Sequence, residues 1–324
     1  MNRNILKVII PIILILLLSI KALNIGSIEL SFTEMIEMLR GIDDKQYAIV
    51  RITRVPAIFV GIICGAMFAM SGVLLQAVMK NPLADPSIIG ISGGASFGAL
   101  LAVSLFPDLL IMKPIFALIF GVLACSIVYS LAWKGALNPV RVILVGIAIN
   151  TLFNGLEDFV SYFLSAGFVM PVSTVSTGGH TSQSVNYLII YFVLALILGF
   201  CMYKKCNVLG LGDHNAHSLG INVDQTRLII SVVAVFLAII PTMYIGPISF
   251  VGLIVPHIGR KLVGNNHKYL ILYSGLLGGF LLLFADVISR SIIYPIEIPL
   301  DIIMALIGAP FFLYMIRKGN QYVK

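Results

Sequence analysis

Uncharged apolar runs long enough to cross a bilayer recur from end to end of this 324-residue chain and leave no stretch in which a water-soluble domain would fit. A helix needs about 20 predominantly apolar residues to span a hydrocarbon core about 30 Å thick. The runs place helices at 5–23, 56–78, 88–106, 114–133, 142–165, 187–203, 228–245, 247–262, 269–289 and 299–316. Only 11% of the residues are charged and 59% are hydrophobic, whereas soluble domains carry about 25% charged residues. The chain therefore reads as a single all-α, polytopic membrane domain over residues 1–324.

One stretch admits two readings. Residues 228–259 carry no charge after Arg227, so they form either one overlong helix or two helices broken at Ile245, Gly246 and Pro247. Lys and Arg concentrate in cytoplasmic loops, which decides between the two. Ten spans with the N-terminus inside put 14 of the 21 basic residues in cytoplasmic segments; nine spans put 9 inside and 12 outside. Ten spans with both termini cytoplasmic are expected. Ten also divides into two five-helix halves of opposite orientation, as in inverted-repeat transporters. The run Val8–Ile20 behind Arg3 and Lys7 is followed by no cleavage pattern, so it reads as an uncleaved first helix.

Several function classes fall away. The net charge of +7 comes from basic residues scattered singly between apolar runs, which suits membrane topology rather than a nucleic-acid surface. Cys64, Cys125, Cys201 and Cys206 show no CxxC spacing, so neither a disulfide framework nor a zinc site is indicated. No GxxxxGK[ST] occurs, so energy from ATP would need a second protein. There is no HExxH. The stretch GISG, with Ser92, looks like the nucleophile motif of intramembrane serine proteases, with His257 as the imaginable base. A serine nucleophile needs that base within hydrogen-bond reach.

Three groups of residues stand out. Arg51 and Arg54 lie beside Pro56 at the expected outer start of the second span, with Arg290 at the outer end of the ninth. They read either as headgroup anchors or as guanidinium forks for acidic side chains of a partner. In the fifth span Gly146, Asn150, Asn154 and Asp158 recur every four residues on one helical face. Such a face either glues helices together or lines a polar pathway. In the longest cytoplasmic loop, 204–227, Asp213 would cap a short helix and Gly220 would end it. That loop is either a plain surface or a handle for a partner; His214 and His217 beside Asp213 make a weak metal motif and read as a solvated face. The glycines of GIICG (Gly61–Gly65) and GLLGG (Gly275–Gly279) read as packing seams. In MKNPLADPSIIGISGG (Met79–Gly94), Lys80 marks the inner face, Pro82 and Pro86 stop the second span, and Asp85 with Pro86 starts the third.

Taken together, the chain resembles the permease subunits of cobalamin and iron-chelate ABC importers, the FecCD family. The resemblance runs through RITRVP (Arg51–Pro56), SGVLLQAVMKNPLADP (Ser71–Pro86), GISGGA (Gly90–Ala95), VGIA (Val145–Ala148) and GPISFVGLIVPHIGR (Gly246–Arg260). It continues in Ala285 and Asp286 with Arg290, EIP (Glu297–Pro299) and LIGAP (Leu306–Pro310).

That resemblance implies a permease dimer with the pathway between its halves, two ATP-binding subunits below and a substrate-binding lipoprotein or periplasmic protein above, all at a bacterial plasma membrane. It maps binding-protein docking to Arg51, Arg54 and Arg290, ATPase coupling to Asp213, Ala216, Leu219 and Gly220, and pathway lining to Gly146, Asn150 and Asn154. No cofactor or resident metal is expected. The implied cargo is an iron complex, a siderophore or haem, with cobalamin second. Two rivals of other classes are the serine protease and an ion-driven transporter using Asp158 or Asp286. The chain departs from the family at Asn138, Pro139 and Val140, where small hydroxyl residues are usual, and at Ser173–His180, which lacks the usual tryptophan; Trp133 is the only one present.

Overall fold

A computed structural model describes residues 3–25, 30–42, 44–87, 90–107, 109, 111–134, 136–137, 139–166, 180–293 and 297–319. The helices are α1 (Arg3–Leu23), α2 (Phe32–Leu39), α3 (Lys45–Met79), α4 (Ile91–Leu105) and α5 (Met112–Ala132). Then come α6 (Pro139–Ala166), α7 (Ser182–Cys201), α8 (Tyr203–Leu209), α9 (Asp213–Ser218) and α10 (Val223–Ile245). The last three are α11 (Val251–Val263), α12 (His267–Ser291) and α13 (Leu300–Gly319). Among the described residues the only strands are two-residue pieces, Trp133–Lys134 and Ala136–Leu137, paired antiparallel. Among the described residues six helices are long and apolar enough to cross a membrane: α3, α5, α6, α7, α10 and α12.

Every apolar run overlaps a helix, but several boundaries move. The second begins at Lys45 instead of residue 56, because Asp44 caps it by accepting from the Gln46 amide at 2.7 Å. Pro56 therefore lies inside α3. A proline there forfeits one intrahelical bond, and the surrounding packing of Ile58 with Ala22, Leu283 and Val287 holds the turn. At 1.5 Å per residue the 35-residue α3 is about 52 Å long. The third run becomes helical at Ile91, after Gly90 in the left-handed region at φ 83°. Asp85 does not start it; its Oδ1 accepts from the amide and hydroxyl of Ser87 at 2.9 and 2.6 Å.

The ambiguous stretch is two helices. α10 ends at Ile245, Gly246 turns at φ 81°, and α11 starts only at Val251, after Phe250 at φ 72°. Gly252 of α11 lies against Gly72 of α3, and Gln76 Nε2 donates to the Gly252 carbonyl at 3.0 Å. The start of α11 is thus level with the last third of α3. Its 13 residues extend about 20 Å.

α3 is the hub. Its apolar stretch is 89% buried, against 17% for that of α6, and Phe68, Met67, Met70, Leu74 and Leu75 are wholly enclosed. Glycine seams allow this density: a Cβ on Gly65 would overlap the Gly278 carbonyl, and one on Gly279 would come within 2.9 Å of the Ile62 carbonyl. Small residues let backbones approach in this way. The two helices run antiparallel, since Gly65 meets Gly278 while Ile58 meets Leu283 and Val287. The stretch SFTEMIEMLR (Ser31–Arg40) before α3 forms α2, opened by a capping box in which the Ser31 amide donates to Glu34 Oε2 at 2.6 Å. Met35 and Met38 seat it against Leu30 and Val50.

Candidate functional site

The antiparallel pairing of α3 and α12 brings Arg51, Arg54 and Arg290 to one end of the bundle, in unequal roles. Arg51 is exposed. Arg54 is 8% exposed and donates to the Leu23 carbonyl at 2.5 Å, a cation closing the C-terminus of α1. Arg290 is largely buried and paired with Asp286 one turn earlier. Its spacing of four residues from Asp286 is readable in sequence, but the burial that makes the pair consequential is not.

At the opposite end of α3, Lys80 caps the helix in the left-handed region, φ 48° and ψ 32°. Its Nζ lies 2.7 Å from Asp213 Oδ1, and Arg227 Nη2 lies 3.1 Å from both oxygens of the same carboxylate. Asp213 is the first residue of α9; the capping position belongs to Gly212, which offers no side chain. An acidic group in the first turn complements the helix dipole. Burial acts to raise the Asp213 pKa, but the bonds and charges of Lys80 and Arg227 outweigh it and hold the carboxyl below its ordinary value.

Gly220 ends α9 as expected. Its φ is 77°, its amide donates to the His217 carbonyl at 2.9 Å, and the Ile221 amide donates to the Ala216 carbonyl at 3.1 Å. This double bond pattern closes a helix through a left-handed glycine. Ala216 is fully buried, while His214, His217, Leu219 and Gly220 face solvent. The loop expected at 204–227 is therefore mostly helical, with α8 unforeseen and α10 starting five residues early.

On α6 the four-residue row does not stay on one face. Four residues advance an α-helix by about 400°, so the row drifts about 40° per step and about 120° from Gly146 to Asp158. Gly146 is buried, its carbonyl 3.1 Å from where a Cβ on Gly90 would stand. Asn150 Oδ1 accepts from the Gly93 amide at 3.1 Å. Asn154 and Asp158 are exposed. The intervening Glu157, which sequence reasoning passed over, accepts from Ser96 Oγ at 2.9 Å.

A second omission is the buried amide of Gln76, whose signal was a lone polar residue in an apolar run. Arg260 Nη1 donates to its Oε1 at 2.5 Å, while its Nε2 donates to the Ala84 and Gly252 carbonyls at 3.2 and 3.0 Å. It ties α3, the following turn and α11 together.

The serine protease constellation is not assembled. Ser92 is 1% exposed and its hydroxyl has no hydrogen-bond partner, while the His257 ring packs edge-on against Phe311 with centroids 6.0 Å apart. Asn138 and Ser173–Gly179 lie outside the described residues. Val140 is 65% exposed, and the His180 ring lies 5.5 Å from that of Tyr244.

Membrane-length helices around a glycine-seamed hub, with polar side chains on α6 and an ion-paired helical appendage at one end, define a polytopic membrane transport subunit. The chain belongs to the FecCD transport family, whose model matches residues 12–318. It is 35% identical over 301 residues to the Fe(3+)-citrate import system permease protein YfmD of Bacillus subtilis, covering 92% of this chain and 90% of that protein. It is 36% identical over 296 residues to the "Probable heme-iron transport system permease protein IsdF" of Staphylococcus aureus, covering 91% and 90%. Among solved structures it matches one described as an inward-facing conformation of a metal-chelate type ABC transporter, with TM-score 0.82, 27% identity, and coverage of 97% and 99%.

Proposed function

We propose that this protein is the membrane-spanning permease subunit of an ATP-driven importer for an iron complex, a siderophore or haem. The observation that carries the reading is its identity of 35% and 36%, over nine-tenths of its length, to permeases for iron citrate and heme-iron. An iron complex is preferred to cobalamin because both of these relatives are named for iron. The permease performs no covalent chemistry; ATP binding and hydrolysis in a separate subunit bias two access states.

The fuller arrangement is also a proposal. Ten spans in two inverted five-helix halves, with both termini cytoplasmic, are supported by the distribution of basic residues. Two permeases, identical or paired with a similar chain, enclose the pathway in a bacterial plasma membrane as single domains over 1–324. Asn150 and Asn154, with Gly146 behind them, belong to its wall. Two ATP-binding subunits engage the end bearing Asp213, Ala216, Leu219 and Gly220. A substrate-binding protein docks at the end bearing Arg51, Arg54 and Arg290.

The test is uptake into proteoliposomes holding the permease, its ATPase and the loaded binding protein, with radioactive iron in citrate, hydroxamate and haem forms. ATP-dependent accumulation of one of them is expected. Uptake that continues on an ion gradient with no ATPase present would overturn the reading in favour of a secondary transporter.

A further inference from the structure

The exposed Arg51 and the Lys80–Asp213 bridge sit at the two ends of one unbroken helix. α3 runs from Lys45 to Met79, about 52 Å, with Arg51 in its second turn and Lys80 at its terminus. Its glycines mesh with α11 at Gly72–Gly252 and with α12 at Gly65–Gly278. Close-packed interiors transmit strain instead of absorbing it, and these seams pack α3, α11 and α12 tightly together.

Lys80 joins that packed group to α9. Lys80 and Phe250 are the two non-glycine residues at positive φ among those described. The left-handed region is sterically unfavourable for an L-residue with a Cβ, and a helix C-cap of this shape ordinarily takes glycine. A lysine there has a use for its side chain, and the use visible is its contact with Asp213, 133 residues further along the chain. Asp213 has two ties of different kinds. Arg227, 7% exposed and 14 residues away, fastens α9 to its own succeeding helix α10. Lys80, 36% exposed, fastens it to α3. His214 and His217 of α9, and Leu219 that follows it, are exposed to solvent.

We propose that Lys80 is a positioning residue that transmits movement of α3 to α9, linking engagement at the Arg51 end to the helix that faces the ATPase. This rests on the reading of α9 as the ATPase contact and of the Arg51 end as the binding-protein contact. Coupling of two sites is reciprocal for binding. The loaded binding protein thus adjusts α9 through Lys80, and nucleotide in the ATPase adjusts the affinity of the Arg51 end by the same factor.

The experiment uses the permease with its ATPase in nanodiscs and measures ATP hydrolysis with and without the loaded binding protein. Lys80→Gly removes the ammonium while suiting the left-handed backbone; Lys80→Arg keeps the charge. For Lys80→Gly the expected result is normal co-purification of the ATPase and normal basal hydrolysis, with stimulation by the loaded binding protein falling to near the basal rate. Lys80→Arg restores stimulation.

Stimulation unchanged in an assembled Lys80→Gly complex overturns the proposal. So does loss of the ATPase from a thermally intact Lys80→Gly permease, which would make Lys80 an assembly contact. Failure of the wild-type complex to hydrolyse ATP or import iron would instead strike the proposed function itself.

Discussion

Gly72 of α3 and Gly252 of α11 meet backbone against backbone, and a Cβ on Gly72 would overlap the Gly252 carbonyl. Gln76, one turn further on, bonds that same carbonyl. Overpacking a close-packed contact costs about 1–3 kcal/mol and more where the obstacle is backbone. Gly72→Val is expected to abolish the monodisperse folded fraction in detergent gel filtration. Gly155→Ala, at a glycine with nothing within 4 Å of its Cβ position, leaves that fraction unchanged.

Asp286 and Arg290 form a buried ion pair. Removing one partner of such a pair costs about 3–5 kcal/mol, whereas replacing both with apolar groups is often nearly neutral. Arg290→Met should lower the melting temperature sharply, and Asp286→Leu combined with it should recover most of the loss. A docking measurement on Arg290 alone would therefore mix stability with recognition.

Arg51 supplies the cleaner docking test because its side chain is exposed. Arg51→Glu should weaken association with the binding protein several-fold, a change of about 1 kcal/mol for an exposed charge contact. The effect should shrink as salt is raised, with the melting temperature unaltered. Adding Arg54→Glu and Arg290→Glu should weaken association further, but Arg54→Glu also uncaps α1 at Leu23 and will destabilise the permease. Equal binding by the triple variant and wild type, measured by surface plasmon resonance, would remove these arginines from the interface.

His180, in the connection ahead of α7, has its pKa lowered to about 4 by burial first and by the Lys113 charge second, against the raising effect of a hydrogen bond to the Tyr244 backbone. Between its ordinary value of 6.5 and about 4 the unfolded chain binds a proton that the folded one refuses. Stability from this group is complete above pH 6.5 and declines as pH falls through that window. Melting in detergent should therefore drop between pH 7 and pH 5. His180→Gln should flatten this part of the profile.

Ser92 has a buried hydroxyl without a partner. Removing an unsatisfied buried polar atom is neutral or favourable. Ser92→Ala should retain full transport in vesicles and melt no lower than wild type. Loss of transport with an unchanged fold would show that the hydroxyl serves the cargo.

Much of the architecture was legible because it depends on neighbours in sequence. The apolar runs, the helix end at Gly220 and the glycine seams of α3 and α12 are all local properties of the chain. The row from Gly146 to Asp158 shows where local reasoning weakens, since a small angular drift accumulates until Asn150 is engaged with α4 while Asp158 stands exposed. The early start of α3 at Lys45 follows the same lesson: a proline that ends a helix in isolation is held within one when its neighbours are packed.

What the sequence by itself determined is a membrane protein of apolar helices, its family, and the residue types at each end. Only the tertiary structure decided which of those residues are engaged by partners within the molecule. Arg54 reaches Leu23, Arg260 reaches Gln76 across 184 positions, and Lys80 reaches Asp213 across 133. Such partners are chosen by helix packing through space, and no spacing along the chain records that choice.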